Sequence, residues 1–294
     1  MAESAADRVR ARDRDSAKLG RFVDTRGILD LLGISVRLGD RVVALIESAL
    51  AIDRLGELCI SAGVTQSNYR VGGQIRHLFA RAGIEYEVRE AAGSRPVGME
   101  GPLIFYCNHP FGIADALVAL EYALDRRPDT KVLANKVLST FDINDNHIIW
   151  VDLDTDRVRD ASNRRAMREA LRHLRGGGAL LMFPAGECSH LHIRQARITD
   201  PEWSLHLFRF IVASKASAVP VYFEGSNSWR FHALGLLHPL LRTLMLVREF
   251  LGLKGQRIRA IVGPEFRSAQ LAPLGSPEAA TAHLRQVVYA LADP

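Results

Sequence analysis

Cysteine is scarce. Cys59, Cys107 and Cys188 are odd in number and lack paired spacing, which disfavours a disulfide framework and a CxxC zinc site and points to a reducing compartment. No run of 18 uncharged apolar residues occurs, so no segment is expected to span a bilayer. The first twenty residues, MAESAADRVRARDRDSAKLG, lack the apolar stretch of a secretory signal. There is no GxSxG elbow and no HExxH pair, which leaves a hydrolase serine of that type and a zincin centre unsupported. The ten histidines show no metal-ligand spacing, and the one close pair, His190-x-His192, is expected at the surface; no metal is expected. Aromatic residues make up 7% and do not interleave with basic ones, so no nucleic-acid partner is expected.

What remains is an ordinary globular composition, 48% apolar and 24% charged over 294 residues with a formal net charge of +5. That length is enough for one large core and one or two domains. Residues 1–20 alternate charge with Ala and Ser and are expected to form a disordered or frayed tail. Helical periodicity follows over Asp40–Ser61 and Arg70–Ala82, so residues 21–92 read as a helical N-terminal preface that packs on the core. Strands and helices then alternate. Strands are predicted at Ile84–Glu90, Pro102–Asn108, Thr130–Asn135, Asn146–Leu153, Ala179–Pro184, Ala218–Phe223 and Arg257–Gly263. Helices are predicted at Gly112–Arg127, Arg164–Arg175, Ser204–Ser214, Pro239–Leu253 and Pro277–Leu291. Alternation of this kind implies an α/β fold, a largely parallel mixed sheet flanked by helices.

Three segments carry possible chemistry. In FYCNHPFGIAD a buried strand ends at Asn108, and His109 stands at the strand's C-terminal edge, where open α/β sheets bind ligands. Asp115 falls in the first turn of the next helix. Within one continuous helix the two side chains would lie about 240° apart at roughly 100° per residue. A His–Asp pair therefore requires His109 to precede the helix and the Pro-Phe-Gly turn to fold it back over Asp115. A carboxylate beside an imidazole fixes its tautomer and makes it a general base. Spacing alone leaves open the plainer reading, in which Asp115 caps the helix and His109 is a loop residue.

In GGGALLMFPAGECSH the glycines precede a strand, which rejects a dinucleotide fingerprint and suits the end of the preceding helix. Phe183–Ser189 is then a second strand-end loop, which could be a plain turn or could meet the His109 loop. Between Gly225 and Arg267 seven basic residues face two acidic ones around the apolar Leu240–Leu253. That segment reads either as a core helix with solvated arginines or as a surface for an anionic membrane.

Taken together, CNHPFGIAD, FPAGECS, ITDPEWSLHLFRFIVASKASAVPVYFEGSNS and RTLMLVREFLGLKGQRIRAIVGPEF resemble, in order, the glycerolipid (lysophospholipid) acyltransferase superfamily, and most closely its bacterial hemolysin-like branch. The resemblance runs from about Leu55 to Arg267 and makes residues 93–294 an α/β acyltransferase domain. The superfamily commonly shows four residues between its His and Asp; here there is one more, as in the hemolysin-like branch. Its common second block is F-P-E-G-T-R-S. Here Ala185 stands in place of the Glu and Cys188 in place of the Arg that is expected to hold an acceptor phosphate, a contact Cys cannot make. Arg194 or Arg197 would then substitute, or the acceptor lacks a phosphate.

The resemblance implies transfer of an acyl group from acyl-CoA or acyl carrier protein, used as co-substrate with no resident cofactor, to a lysophospholipid hydroxyl or an amino-acid or aminolipid amine. It implies His109 as general base and Asp115 as the group that orients it. It implies an acceptor-facing set of Asn108, Pro184, Ala185, Gly186, Glu187, Ser189 and Arg194, with oxyanion donors near Gly186 or Gly112. The expected location is cytoplasmic, peripheral to the inner face of the cell membrane and against its anionic surface. Two other readings stand beside it: a thioesterase or hydrolase with Cys188 as nucleophile and His109 as base, and a non-catalytic membrane-surface binding protein.

Overall fold

A computed structural model describes residues 45, 47–62, 71–94, 97–136, 145–151 and 161–292. The expected tail at 1–20 and the beginning of the first predicted helix lie outside these residues. The elements, in chain order, are α1 (Ile52–Ser61), α2 (Val71–Ala82), β1 (Glu85–Glu90), β2 (Leu103–Cys107), α3 (Ile113–Arg126), β3 (Lys131–Asn135), β4 (Ile148–Val151), α4 (Ala161–Arg175) and β5 (Ala179–Met182). They continue with β6 (His190–His192), β7 (Arg197–Thr199), α5 (His206–Ser214), β8 (Ser217–Glu224), α6 (Trp229–Leu237), α7 (Pro239–Gly252), β9 (Arg257–Val262), β10 (Phe266–Arg267) and α8 (Pro277–Tyr289).

The central sheet has the order β1-β9-β8-β2-β5-β3-β4, with β10 beside β8. Pairing is parallel except where β8 meets β9 and β10. β2 lies in the middle and is buried along its whole length, as expected for a strand covered on both faces. Side chains alternate between faces. Leu103, Phe105 and Cys107 join one hydrophobic cluster with α1, α2, α3 and α7. Ile104 and Tyr106 join a second with α4, α5 and α8. α1 and α2 thus pack in the first cluster, and β1, which also falls within residues 21–92, is an edge strand of the same sheet, paired with β9.

The first predicted helix is interrupted at Ala51, which is left-handed (φ 58°). The glycines 176–178 end α4, with Gly177 at φ 88° and the Gly178 N–H donating to the His173 carbonyl. The apolar segment expected either in the core or on a membrane forms α7, which buries Val247 and Phe250, followed by the buried Leu253, so the core reading holds for that face. Among the described residues the strands β6, β7 and β10 and the helix α6 are not in the sequence expectation; each has nine residues or fewer and no clean periodicity.

Candidate active site

The strand–turn–helix at β2 and α3 builds the site. Cys107 ends β2, and Asn108 then turns back on β8: its side-chain amide donates to the Phe223 carbonyl (2.9 Å) and accepts from the Phe223 N–H (2.7 Å). Asn108 thus extends the β2–β8 ladder by one rung, with its polar groups engaged by backbone. His109 follows, and Pro110, Phe111 and Gly112 reverse the chain into α3. Gly112 sits at φ 83°, a conformation side chains resist, and a Cβ there would meet Cys188 Sγ and Leu246 Cδ2 at 2.7 Å.

The turn brings His109 Nδ1 to 3.2 Å from Asp115 Oδ1. The approach lies off the axis of a good hydrogen bond, as unloaded sites often show. Asp115 is fully buried. It accepts from the Phe111 N–H (2.8 Å) and from its neighbour's, Ala116 (2.7 Å), so it both caps α3 and faces the imidazole. The two readings of this motif are therefore compatible. The His109 side chain keeps 15% of its surface open, and its ring lies 4.1 Å from that of Phe183 in the second loop. Burial pushes the imidazole pKa down, but the charges of Asp115 and then Asp200 outweigh it, and the net direction is upward from 6.5. Such an imidazole, open on one side and backed by a carboxylate on the other, is able to take a proton from a bound nucleophile.

The Phe183–Ser189 loop does meet the His109 loop. The Ser189 N–H donates to the His109 carbonyl (2.8 Å). The Ser189 hydroxyl donates to Asp200, so it is committed inward. Pro184 is buried and its carbonyl accepts from the Ser204 N–H (2.9 Å), while Ala185 packs against the second hydrophobic cluster. Gly186 turns the loop at φ 74° and its N–H is taken by the Phe183 carbonyl (3.0 Å), so the oxyanion donor expected there is occupied. Glu187 is exposed at the rim. Arg194 and Arg197 lie exposed on the β6–β7 hairpin, and the structure gives neither a contact with the His109 loop. Burial, reinforced by Asp115 and Asp200, pushes the Cys188 thiol well above its ordinary value of 9.0. A thiol held protonated in this way is a poor nucleophile.

Two residues of the site had not been singled out. Asp200, buried after β7, accepts from the backbone N–H of His109 (3.1 Å), from Ser189 and from Trp203 Nε1 (2.9 Å). It therefore locks the two loops together from below. Its own backbone is held by Tyr289 and Arg285 of α8. Arg242 of α7 reaches Glu187 across the rim (2.9 Å). Asp200 is one of two acidic residues in ITDPEW, and its partners His109 and Ser189 lie 91 and 11 residues away, beyond any local pattern. Among the described residues no group of three His, Cys, Asp or Glu side chains is arranged to hold a metal ion.

An α/β sheet with a His–Asp pair at the C-terminal edge of its central strand defines the class of site. The family described as Acyltransferase matches residues 69–293, and the chain belongs to it. It is accordingly an acyltransferase. No curated protein matches the chain. Among solved structures it is similar to the 1-acyl-sn-glycerophosphate (LPA) acyltransferase of Thermotoga maritima, at 16% identity and a TM-score of 0.48, covering 93% of this chain and 90% of that one.

Proposed function

We propose that the chain, as a member of the hemolysin-like branch, transfers a fatty acyl group from an acyl-CoA or acyl carrier protein thioester to a lysophospholipid hydroxyl or to an amino-acid or aminolipid amine. The observation that carries this reading is the 3.2 Å approach of His109 to the buried Asp115 at an otherwise accessible ring. In the proposed step His109 Nε2 removes the acceptor's proton as its oxygen or nitrogen attacks the thioester carbonyl. Asp115 stabilises the imidazolium that results, and the thiol then leaves with the proton. General-base help of this kind is worth roughly 10²–10⁴ in rate. In this reading the Gly112 N–H at the start of α3, for which no backbone partner is found among the described residues, receives the developing oxyanion charge.

The Cys188 hydrolase reading is disfavoured by the raised thiol pKa. No helix among the described residues is long and apolar enough to cross a membrane. An anionic membrane surface as partner is supported by one face of α6, where Trp229, Leu236 and Leu237 are exposed beside Arg230. The test is incubation of the full chain with labelled acyl-CoA or acyl carrier protein and a panel of lysolipids and amino acids, with products read by mass spectrometry. Wild type should form an acylated product and His109→Ala almost none while remaining folded. Wild-type activity in His109→Ala would refute the mechanism.

A further inference from the structure

The second loop lacks the arginine expected to hold an acceptor's head group, yet a cation reaches the same place from another element. Arg242 approaches Glu187, the residue next to Cys188, from α7, and its side chain is 12% exposed. Its position is prepared by the neighbouring helix. A Cβ at Gly235 of α6 would collide with Cγ and Cδ of Arg242, so the arginine stem lies across bare backbone there. One turn further along α7, Leu246 touches the Gly112 position, which puts this face of α7 against the His109 turn. A guanidinium has five N–H donors. Among the described residues Arg242 uses one, through Nη2, on Glu187.

A second observation points to the same place. His232 of α6 is 5% exposed, and neither of its ring nitrogens has a hydrogen-bond partner. The Asn227 backbone approaches the ring but outside hydrogen-bond geometry. A buried polar group left unpaired is costly, and in native structures such a group commonly awaits a ligand or water. Arg242, Glu249 and His190 all act electrostatically on His232. Burial, the largest influence, pushes its pKa down from 6.5, and its two ring nitrogens can serve as donor and acceptor. His232 lies three residues before Gly235, so it sits one turn away on the part of α6 that Arg242 crosses.

The geometry points to Arg242, flanked by Glu187 and His232, as the seat for an oxyanion head group, a phosphate or a carboxylate carried by the acyl acceptor. This inference rests on the acyl-transfer reading and goes further by assigning the acceptor's charge and the residue that holds it. Arg242 meets the anion with its remaining donors, and the unpaired ring nitrogens of His232, one turn from Gly235 on α6, are available to the same head group. Glu187, already paired with the guanidinium, keeps the arginine extended toward the loop and weakens the hold on a second anion.

Calorimetric titration of the full chain with glycerol 3-phosphate, acetate and glycerol reads the seat without turnover. At least one of the two anions should bind and the neutral glycerol should not; whichever anion binds identifies the head group as phosphate or carboxylate. Arg242→Gln should weaken that binding by about 10-fold or more, the usual scale for a lost charge-assisted hydrogen bond. Gly235→Ala, which favours the helix but displaces the arginine stem, should weaken it as well and covers the case in which Arg242→Gln fails to fold. Glu187→Gln should tighten it. In turnover, Arg242→Gln should raise KM for the anionic acceptor far more than it lowers kcat. Absence of anion binding, or binding that survives both Arg242→Gln and Gly235→Ala, overturns the inference. Failure of the wild type to acylate any acceptor refutes the acyl-transfer reading instead, and leaves the titration to be judged by itself.

Discussion

Replacing Asp115 by Asn separates the two tasks that carboxylate performs. In the wild type it accepts from two backbone N–H groups, of Phe111 at 2.8 Å and Ala116 at 2.7 Å, and faces His109 Nδ1 at 3.2 Å. An amide has one acceptor oxygen, so one buried backbone donor is left unpaired, at a cost of about 1–3 kcal/mol. For a chain of this size that lowers Tm by roughly 2–10 °C, which differential scanning calorimetry resolves. The effect on chemistry is larger. Burial depresses the His109 pKa, and Asp115 is the main influence that reverses this, with Asp200 as the lesser one. As a general base His109 works when neutral, so in wild type the acid limb of the kcat/KM profile lies above pH 6.5. Without the Asp115 charge, burial prevails and the limb moves to lower pH. The Asn amide no longer stabilises the imidazolium or selects the tautomer, so kcat should fall about 10²- to 10⁴-fold even on the plateau. A histidine whose folded pKa is raised stabilises the fold fully below its unfolded pKa, near 6.5, and that contribution is lost as pH rises through the folded value. Wild type should therefore lose some stability across that window, and Asp115→Asn should not. A variant with near-normal kcat and an acid limb still above 6.5 would show that Asp115 merely caps α3.

Asp200→Asn should also impair turnover, because the Asp200 carboxylate holds the His109 backbone, Ser189 and Trp203 at once. A loss of several kcal/mol, read by denaturant unfolding, with activity reduced at least tenfold is expected. Cys188→Ser should cost activity only a few-fold, since the thiol lies against Gly112 and burial, which pushes its pKa up, makes it a poor nucleophile; near-total loss in the thioester assay would favour a covalent mechanism. Gly112→Ala should destabilise the chain by more than about 1 kcal/mol and reduce turnover, because its φ of 83° and the approach of Cys188 and Leu246 leave no room for a methyl group. Unchanged thermal stability and kinetics would mean that the turn does not set the position of His109.

The sequence by itself determined the alternation of strands and helices, because burial on both faces of β2 and the helical spacing of α3 and α8 are local patterns with fixed periods. It also determined that His109 must lie ahead of α3 if it is to meet Asp115, since both belong to one short turn. The sheet order, with β9 parallel to β1 on one side and antiparallel to β8 on the other, depends on pairings as distant as Glu85 with Arg257, 172 positions apart, and left no local trace. The same is true of the surroundings of His109. Asp200 and Arg242 are ordinary charged residues in sequence, where Arg194 or Arg197 is the expected holder of an acceptor phosphate. Only the packing of α7 over the bare backbone of Gly235, and the return of the chain after β7, decided which charges stand at the site. Charges act through space, and the distances that weight them are set by the folded core.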